Sequence, residues 1–285
     1  MASSLPPYAT AAERIWHYAF RIICGLILFF LIMPILVIIP LSFNASDYFT
    51  FTKEMVSLDP AGYSLKWYED FFTNPNWQGA VYNSVIIAIF ATLISTVLGT
   101  LAALGLSQAH MPYKSAIMAV LLSPIIVPLI ISAAGMYFFY SRIGLQGTFT
   151  GVILAHAALG TPFVVITVTA TLVGFDRSLI RAALGLGASP VTVFYRIIVP
   201  IILPGVVSGA LFAFITSFDE VVVVLFVGSF EQRTIPWQMF SGIREHISPT
   251  ILAVATVLVG VSILLLTCLE MLRRRSERLR GISAS

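Results

Sequence analysis

An acidic pair, Asp219-Glu220, interrupts an otherwise apolar stretch that runs from residue 201 to residue 226. A charged side chain at the centre of a bilayer costs about 2.5–3.5 kcal/mol on insertion scales, so such residues commonly serve a function. Adjacent residues on a helix point about 100° apart, so at most one of the two carboxylates would face a solute path. The pair predicts a cation-attracting gate, with the second carboxylate paired to a neighbouring helix or subunit.

Aromatic side chains could complete that gate. Phe218, Tyr137 and Tyr140 would suit a flexible polycation as walls, because carboxylates supply charge pairing and aromatic rings supply cation–π contacts. Two plainer interpretations stay open: the pair hydrogen-bonds between packed helices, or the helix ends early and the pair meets water. His156, in another apolar stretch, has two interpretations as well, a hydrogen bond to a neighbouring helix or a place on the solute path.

A second segment with distinctive chemistry is the polar connection 174–200. Asp176 or Ser178 can cap a short helix, Gly187 can end it, and Pro190 can begin the next turn. Several small residues would let another surface approach this helix closely: Ala182, Ala183, Gly185 and Gly187. The pattern predicts a short helix outside the membrane that docks a partner protein.

Catalytic patterns are missing from the sequence. No lysine follows a glycine, so no GxxxxGK phosphate-binding loop is present. The four histidines have no metal-ligand spacing, and no Ser/His/Asp set can be read from the loops. We therefore predict no catalytic residue, no metal and no cofactor bound by this chain, and we expect its energy source to lie in another subunit.

The elements that position these residues follow from composition. Of 285 residues, 58% are hydrophobic and only 10% are charged, against about 25% charged in soluble proteins. This excludes disordered chains, nucleic-acid-binding proteins and secreted disulfide scaffolds, and predicts an all-α, polytopic membrane protein. Six stretches are long enough to cross a bilayer as helices: Trp16–Leu41, Val81–Leu106, Ser115–Tyr140, Phe149–Val173, Ile201–Phe226 and Ile251–Leu272.

Orientation follows from the basic residues outside these stretches. Eleven Lys and Arg fall on the side that holds both termini and five on the other, which predicts cytoplasmic termini. The outer segments 42–79 and 229–248 are then the natural surfaces for an extracytoplasmic partner. The predicted organisation is a cytoplasmic tail (1–15), a first helix (16–41), a periplasmic segment with an interfacial helix (42–79), a five-helix core with the loop 174–200 (80–272) and a basic cytoplasmic tail (273–285).

The loop also resembles a known family. Arg181-Ala182-Ala183, then Gly187, then Ile197-Ile198-Val199-Pro200 are similar to the signature loop of the permease subunits of type I ABC importers. Asn83-Ser84 and residues 98–104 extend the resemblance, which covers essentially the whole chain. It implies a MetI-like permease fold with six transmembrane helices in a bacterial inner membrane.

The same resemblance implies partners and site residues. We expect a second, different permease subunit, two ATPase subunits that use ATP and Mg, a periplasmic substrate-binding protein and membrane lipid, but no nucleic acid. The ATPase-coupling loop would comprise Ser178, Arg181, Ala182, Ala183, Gly187, Ala188, Ser189 and Pro200. One residue departs from the family pattern, because Arg181 stands where the family usually has Glu, and it either meets an acidic partner or points into solvent.

Residues 217–223 and 232–250 resemble the spermidine/putrescine branch of the family, which implies a polyamine or a related small nitrogenous solute. The predicted function is therefore half of the translocation path of an ATP-driven importer. The alternative is a secondary transporter driven by an ion gradient, with Asp219 and Glu220 as its cation relay. The coupling-loop motif and the absence of an inverted repeat argue against that alternative.

Overall fold

The computed structural model describes residues 10–108, 110–173, 175–176, 178–245 and 248–279. Residues 1–9 of the predicted N-terminal tail and 280–285 of the predicted C-terminal tail lie outside the described residues. The α-helices are, in chain order, α1 (Ala11–Leu41), α2 (Lys53–Val56), α3 (Lys66–Thr73), α4 (Pro75–Leu106), α5 (Lys114–Ile126), α6 (Leu129–Ile143), α7 (Phe149–Val173), α8 (Ser178–Gly185), α9 (Pro190–Val193), α10 (Val199–Phe218), α11 (Val222–Val227), α12 (Ile235–Glu245) and α13 (Thr250–Leu279).

Within the described residues, four helical stretches are long and apolar enough to cross a membrane. They are α1, α4, α7 and the stretch Pro190–Phe218, in which α9 and α10 are joined by a π-helical turn, Phe194–Ile198. The sixth predicted stretch falls in α13, whose described apolar part is Thr250–Leu264. The all-α prediction is confirmed, whereas the count of six transmembrane helices stays a prediction.

The predicted third span, Ser115–Tyr140, is not one straight helix. It is divided into α5 and α6, which are bent by 105° relative to each other. The break has a local cause, because Val127 precedes Pro128 and is extended (φ −73°, ψ 134°), the conformation that a following proline favours. If the bent pair is one span, the number of candidate spans rises to five.

The chain forms two compact units, of which the first combines residues up to 73 with residues from 245 onward. Its long helix α1 has no buried residue in its most apolar window, so that window is free to face lipid or another protein. The connection after α1 is ordered by Asn44, whose side-chain amide donates to the carbonyls of Tyr48 (3.0 Å) and Thr50 (2.7 Å). Helix α3 lies where the interfacial helix is predicted, and its Asp70 accepts a 2.7 Å hydrogen bond from Thr250 of α13.

The second unit, residues 74–244, is built around α4, α7 and α10. Small residues let these helices approach closely, among them Gly205 and Gly209 of α10. A Cβ atom added to Gly209 would lie 2.7 Å from the Cα of Val164 on α7, and one added to Gly205 would lie 2.8 Å from the carbonyl oxygen of Thr167. Glycine is thus required at both positions, since real Cβ atoms do not come so near a backbone.

Candidate functional site

The predicted docking loop contains a capped helix, α8. The Asp176 carboxylate accepts hydrogen bonds from the backbone N–H of Ser178 (2.8 Å) and from its hydroxyl (2.6 Å). These bonds, with a weaker contribution from the Arg181 guanidinium, lower the pKa of the Asp176 carboxyl. The cap therefore stays ionised at neutral pH, where a negative charge stabilises a helix N-terminus.

Gly187 ends α8 in the left-handed conformation, with φ +83°. The N–H of Gly187 donates to the carbonyl of Leu184 and that of Ala188 to the carbonyl of Ala183, both at 3.0 Å. These two bonds form a Schellman motif, the pattern that glycine at this position allows. The chain then turns sharply, and the Ser189 hydroxyl accepts from the N–H of Thr192 to begin α9.

No residue of α8 is buried. Arg181 and Ala182 are exposed, Ala183 and Ala188 are half-buried, and Pro200 is exposed in the first turn of α10. Large apolar side chains are exposed on this segment, led by Leu186 at 89%. The other four are Leu179, Leu184, Val191 and Tyr195. This loop (residues 175–200 as far as described) thus exposes these five apolar side chains and Ala182, which suits a protein-docking surface.

At the acidic pair, the predicted fifth span 201–226 is interrupted. Helix α10 ends at Phe218 and α11 begins at Val222. Glu220 causes the restart, because its buried carboxylate accepts a 2.9 Å hydrogen bond from the N–H of Val223. The prediction of a continuous helix through residue 226 is therefore corrected.

The two carboxylates have different environments at this break. Asp219 is exposed, whereas Glu220 is only 8% exposed and holds the start of α11. The Asp219 carboxylate is thus available to a solute or to water, whereas the Glu220 carboxylate is hydrogen-bonded to the backbone.

The three aromatic residues predicted as gate walls have different surroundings. Phe218 stacks on Phe214 with ring centroids 5.7 Å apart. Tyr140 is buried in an apolar cluster with Val223, Val224 and Val227 of α11, so it supports the helix that Glu220 begins. Tyr137 remains partly exposed, with 37% of its surface accessible. Of the three, Tyr140 therefore serves packing in this structure.

A buried polar pair joins α7 to the last turn of α10. His156 is fully buried, and its Nδ1 lies 2.8 Å from the Ser217 hydroxyl. Its Nε2 has no hydrogen-bond partner among the described residues. The hydrogen bond to a neighbouring helix, one of the two interpretations of His156, is thus present, two residues before Asp219.

Asn83 and Ser84 have structural roles that sequence reasoning did not assign. The Asn83 amide donates to the carbonyls of Glu231 (2.8 Å) and Arg233 (2.9 Å), and the Ser84 hydroxyl accepts from the N–H of Ile235 (2.8 Å). They hold the loop between α11 and α12 against α4. An adjacent Asn-Ser pair at the head of an apolar helix is the signal that could have pointed to them.

Arg233, in that loop, is fixed by neighbours that carry no charge. Its guanidinium lies 3.3 Å from the Phe230 ring centroid and donates to the Asn76 side-chain oxygen (3.2 Å). Partial burial lowers the pKa of Arg233, although the group remains a cation at neutral pH. Among the described residues, no group of three or more His, Cys, Asp or Glu is arranged to hold a metal ion.

Long apolar helices packed at glycines, an exposed short helix and a polar break in an apolar segment are typical of one class of protein, the membrane-embedded subunits of transporters. Residues 95–280 match the binding-protein-dependent transport system inner membrane components, and the chain belongs to that family. It is therefore a permease component, as the loop motif predicts.

Two curated relatives extend the match to most of the chain. The spermidine/putrescine transport system permease protein PotC of Haemophilus influenzae is 33% identical over 248 residues, covering 87% of this chain and 93% of that protein. The putrescine transport system permease protein PotI of Escherichia coli K12 is 31% identical over 263 residues, covering 89% and 90%. The resemblance to the spermidine/putrescine branch is confirmed.

The fold is shared with a more distant protein of known structure. A chain of a bacterial ABC transporter involved in the import of the acidic polysaccharide alginate superimposes with a TM-score of 0.75. The match covers 93% of this chain and 99% of the other, at 13% sequence identity. The predicted permease fold is confirmed. Because that transporter moves an acidic solute, the fold by itself does not select the charge of the solute.

Proposed function

We propose that this chain forms half of the translocation path of an ATP-driven importer for polyamines. The observation that carries the proposal is the similarity of about 30% over most of the chain to permeases named for spermidine and putrescine. The exposed carboxylate of Asp219 supports it, because a polyamine is a flexible polycation. In this proposal Asp219 attracts the cation, and Glu220 keeps α11 in place beside it.

The proposed energy source is a pair of separate ATPase subunits that hydrolyse ATP with Mg. The absence of a GxxxxGK loop from the sequence supports this division of labour. The exposed helix α8 is the proposed contact, since Leu179, Ala182 and Leu184 are exposed on it. A second, different permease subunit would supply the other half of the path, and a periplasmic binding protein would deliver the solute to the outer segments 42–79 and 229–248.

The proposed location is a bacterial inner membrane with both termini in the cytoplasm. The distribution of Lys and Arg supports this orientation, which places α8 in the cytoplasm and the break at Asp219 toward the outer side. Docking and solute entry would then occur at opposite ends of the unit formed by residues 74–244.

Uptake of radiolabelled putrescine and spermidine tests the proposal in vesicles that contain this chain with its ATPase, permease and binding-protein partners. We expect ATP-dependent uptake of at least one of the two. Uptake by this chain alone under an ion gradient would instead establish the secondary transporter. Failure of both polyamines while another solute is taken up with ATP would overturn the polyamine assignment and leave the importer intact.

Substitutions of the two carboxylates test the proposed role of Asp219. Asp219→Asn should lower kcat/KM for polyamine uptake on the order of tenfold, because one charge contact is lost, and the defect should shrink at high salt, which screens exposed charges. Glu13→Gln removes an exposed carboxylate at the predicted cytoplasmic end of the first helix, outside both outer segments, and should leave uptake unchanged. Normal uptake by both Asp219→Asn and Glu220→Gln would contradict a role for the pair at the gate.

A further inference from the structure

The unit 74–244 holds a cleft of about 440 Å³ beside the docking helix α8. Its walls come from the ends of the long helices and from the connection that follows α7. Leu104 lies near the end of α4, Leu172 near the end of α7, and Ile198 just before α10. The cleft therefore lies where apolar helices leave the membrane.

The floor of the cleft is apolar and continuous with the protein core. Leu104, Leu172 and Ile198 are half-buried and pack against a buried cluster that includes Ala103, Val168 and Ile202. Phe175 and Ile180, also half-buried, add apolar surface from the connection and from α8. Such walls suit a hydrocarbon chain.

Arg181 is the charged residue among those that line this cleft. Its guanidinium makes no ion pair within the described residues. Among those residues, the one ion pair closer than 4.0 Å joins Lys66 and Asp47. The acidic neighbour of this guanidinium, Asp176, lies beyond ion-pair distance. A guanidinium beside apolar walls, at the level where helices leave a bilayer, matches the chemistry of an anionic phospholipid. The phosphate would accept bonds from Arg181, and an acyl chain would cover Leu104, Leu172 and Ile198.

We propose that this cleft binds an anionic phospholipid of the cytoplasmic leaflet through Arg181. The leaflet rests on the proposed orientation of the chain, and its anionic lipids attract basic side chains at the surface. A lipid bound there would touch α8 and the ends of α4 and α7 together. It would therefore hold the docking helix against the three-helix core.

Native mass spectrometry of the purified full chain with added dioleoylphosphatidylglycerol tests the proposal, with dioleoylphosphatidylcholine as the neutral lipid. We expect the wild-type chain to retain one phosphatidylglycerol about fivefold more tightly than Arg181→Gln does. Arg196→Gln is the matched control, because Arg196 is exposed in the π-helical turn before α10 but does not line the cleft. It should retain the lipid like the wild type.

A second variant tests the cleft rather than the charge. Ile180→Trp adds volume from the exposed helix α8, so it should fill the cleft and displace the lipid without disturbing the buried core. Equal retention by Arg181→Gln and the wild type, or an equal loss in Arg196→Gln, would overturn the proposal in favour of general surface attraction. Equal competition by soluble glycerol phosphate would also overturn it, because the acyl chain would then contribute nothing.

Assays of the assembled transporter distinguish failure of this inference from failure of the proposed function. If Arg181→Gln retains phosphatidylglycerol but loses solute-stimulated ATP hydrolysis, Arg181 faces the ATPase and the lipid site is wrong. If the wild-type complex shows no ATP-dependent uptake while Arg181→Gln has lost the lipid, the proposed function fails and the lipid site stands.

Discussion

The three-helix core of residues 74–244 and the loop that carries α8 have opposite construction. In the core, α4, α7 and α10 meet at glycines. A Cβ atom added to these glycines would lie too close to atoms of the neighbouring helix. In the loop, α8 buries none of its residues, and an added Cβ at Gly185 or Gly187 would meet nothing within 4 Å. Glycine thus serves close packing in one region and backbone conformation in the other.

The difference shows where each region obtains its stability. Between membrane helices the apolar effect is weak, so association depends on close van der Waals contact that small residues allow. Helix α8 instead depends on local devices, the Asp176 cap at its start and the Schellman motif at its end. A region stabilised locally can present an open surface to a partner without unfolding.

Gly209→Leu should have the largest effect, because it would break the core. The new Cβ would lie 2.7 Å from the Cα of Val164, and neither helix backbone can shift without separating α10 from α7. We expect destabilisation of about 3 kcal/mol or more, at the upper end for overpacked cores. Yield and thermal unfolding of the purified chain in detergent measure it.

The control for that variant is Gly135→Leu. Gly135 lies on α6, and an added Cβ there would meet nothing within 4 Å. It should express and unfold like the wild type. Equal loss in both variants would mean that leucine is harmful at any helical glycine here, and the close-approach explanation would then be wrong.

Gly187→Asp should break the loop and spare the core. At φ +83° aspartate and asparagine share a similar backbone cost, but the aspartate charge would stand beside the exposed face of α8. We expect normal insertion and thermal stability with loss of solute-stimulated ATP hydrolysis in the assembled complex. Gly187→Asn is the matched control, because asparagine tolerates the left-handed conformation and adds no charge, so it should keep most of the coupling. Normal coupling in Gly187→Asp would remove α8 from the docking surface.

Sequence patterns predicted the parts of this molecule that depend on local chemistry. Hydropathy located the long apolar helices, and the capping residues and glycine around α8 located that helix to within about two residues, whereas its docking role stays a prediction. Each of these signals arises within a few residues along the chain.

Features that depend on contacts distant in sequence were not predictable in the same way. Composition makes residues 201–226 look continuous, but the buried Glu220 carboxylate restarts the helix at Val222. Whether Tyr140 lines a path or packs in the core depends on α11, more than 80 residues later. Likewise the partner of His156, Ser217, follows from the packing of α7 on α10 and leaves no local pattern.

Ser217→Ala should also destabilise the three-helix core, but less than Gly209→Leu does. It would leave Nδ1 of the fully buried His156 without its partner, at a cost of about 1–3 kcal/mol. The double variant Ser217→Ala with His156→Leu removes both polar groups and should recover most of that stability. Thermal unfolding of the three proteins measures the coupling. Additive losses would show that the hydrogen bond contributes nothing to the packing of α7 on α10.

Asp176→Ala should have the smallest effect, confined to the loop. It removes the carboxylate that accepts both bonds from Ser178, so the amides of α8 should exchange hydrogen faster while the unfolding temperature of the core stays unchanged. The pKa of Asp176 is lower in the folded state, so its contribution is present above the carboxyl's ordinary range and is lost as pH falls through the lowered pKa. Exchange in α8 should therefore be insensitive to Asp176 ionisation between pH 6 and 8, about two units above that range. Faster exchange throughout α4 and α7 in Asp176→Ala would contradict the separation of the two regions, because the cap would then support the core as well.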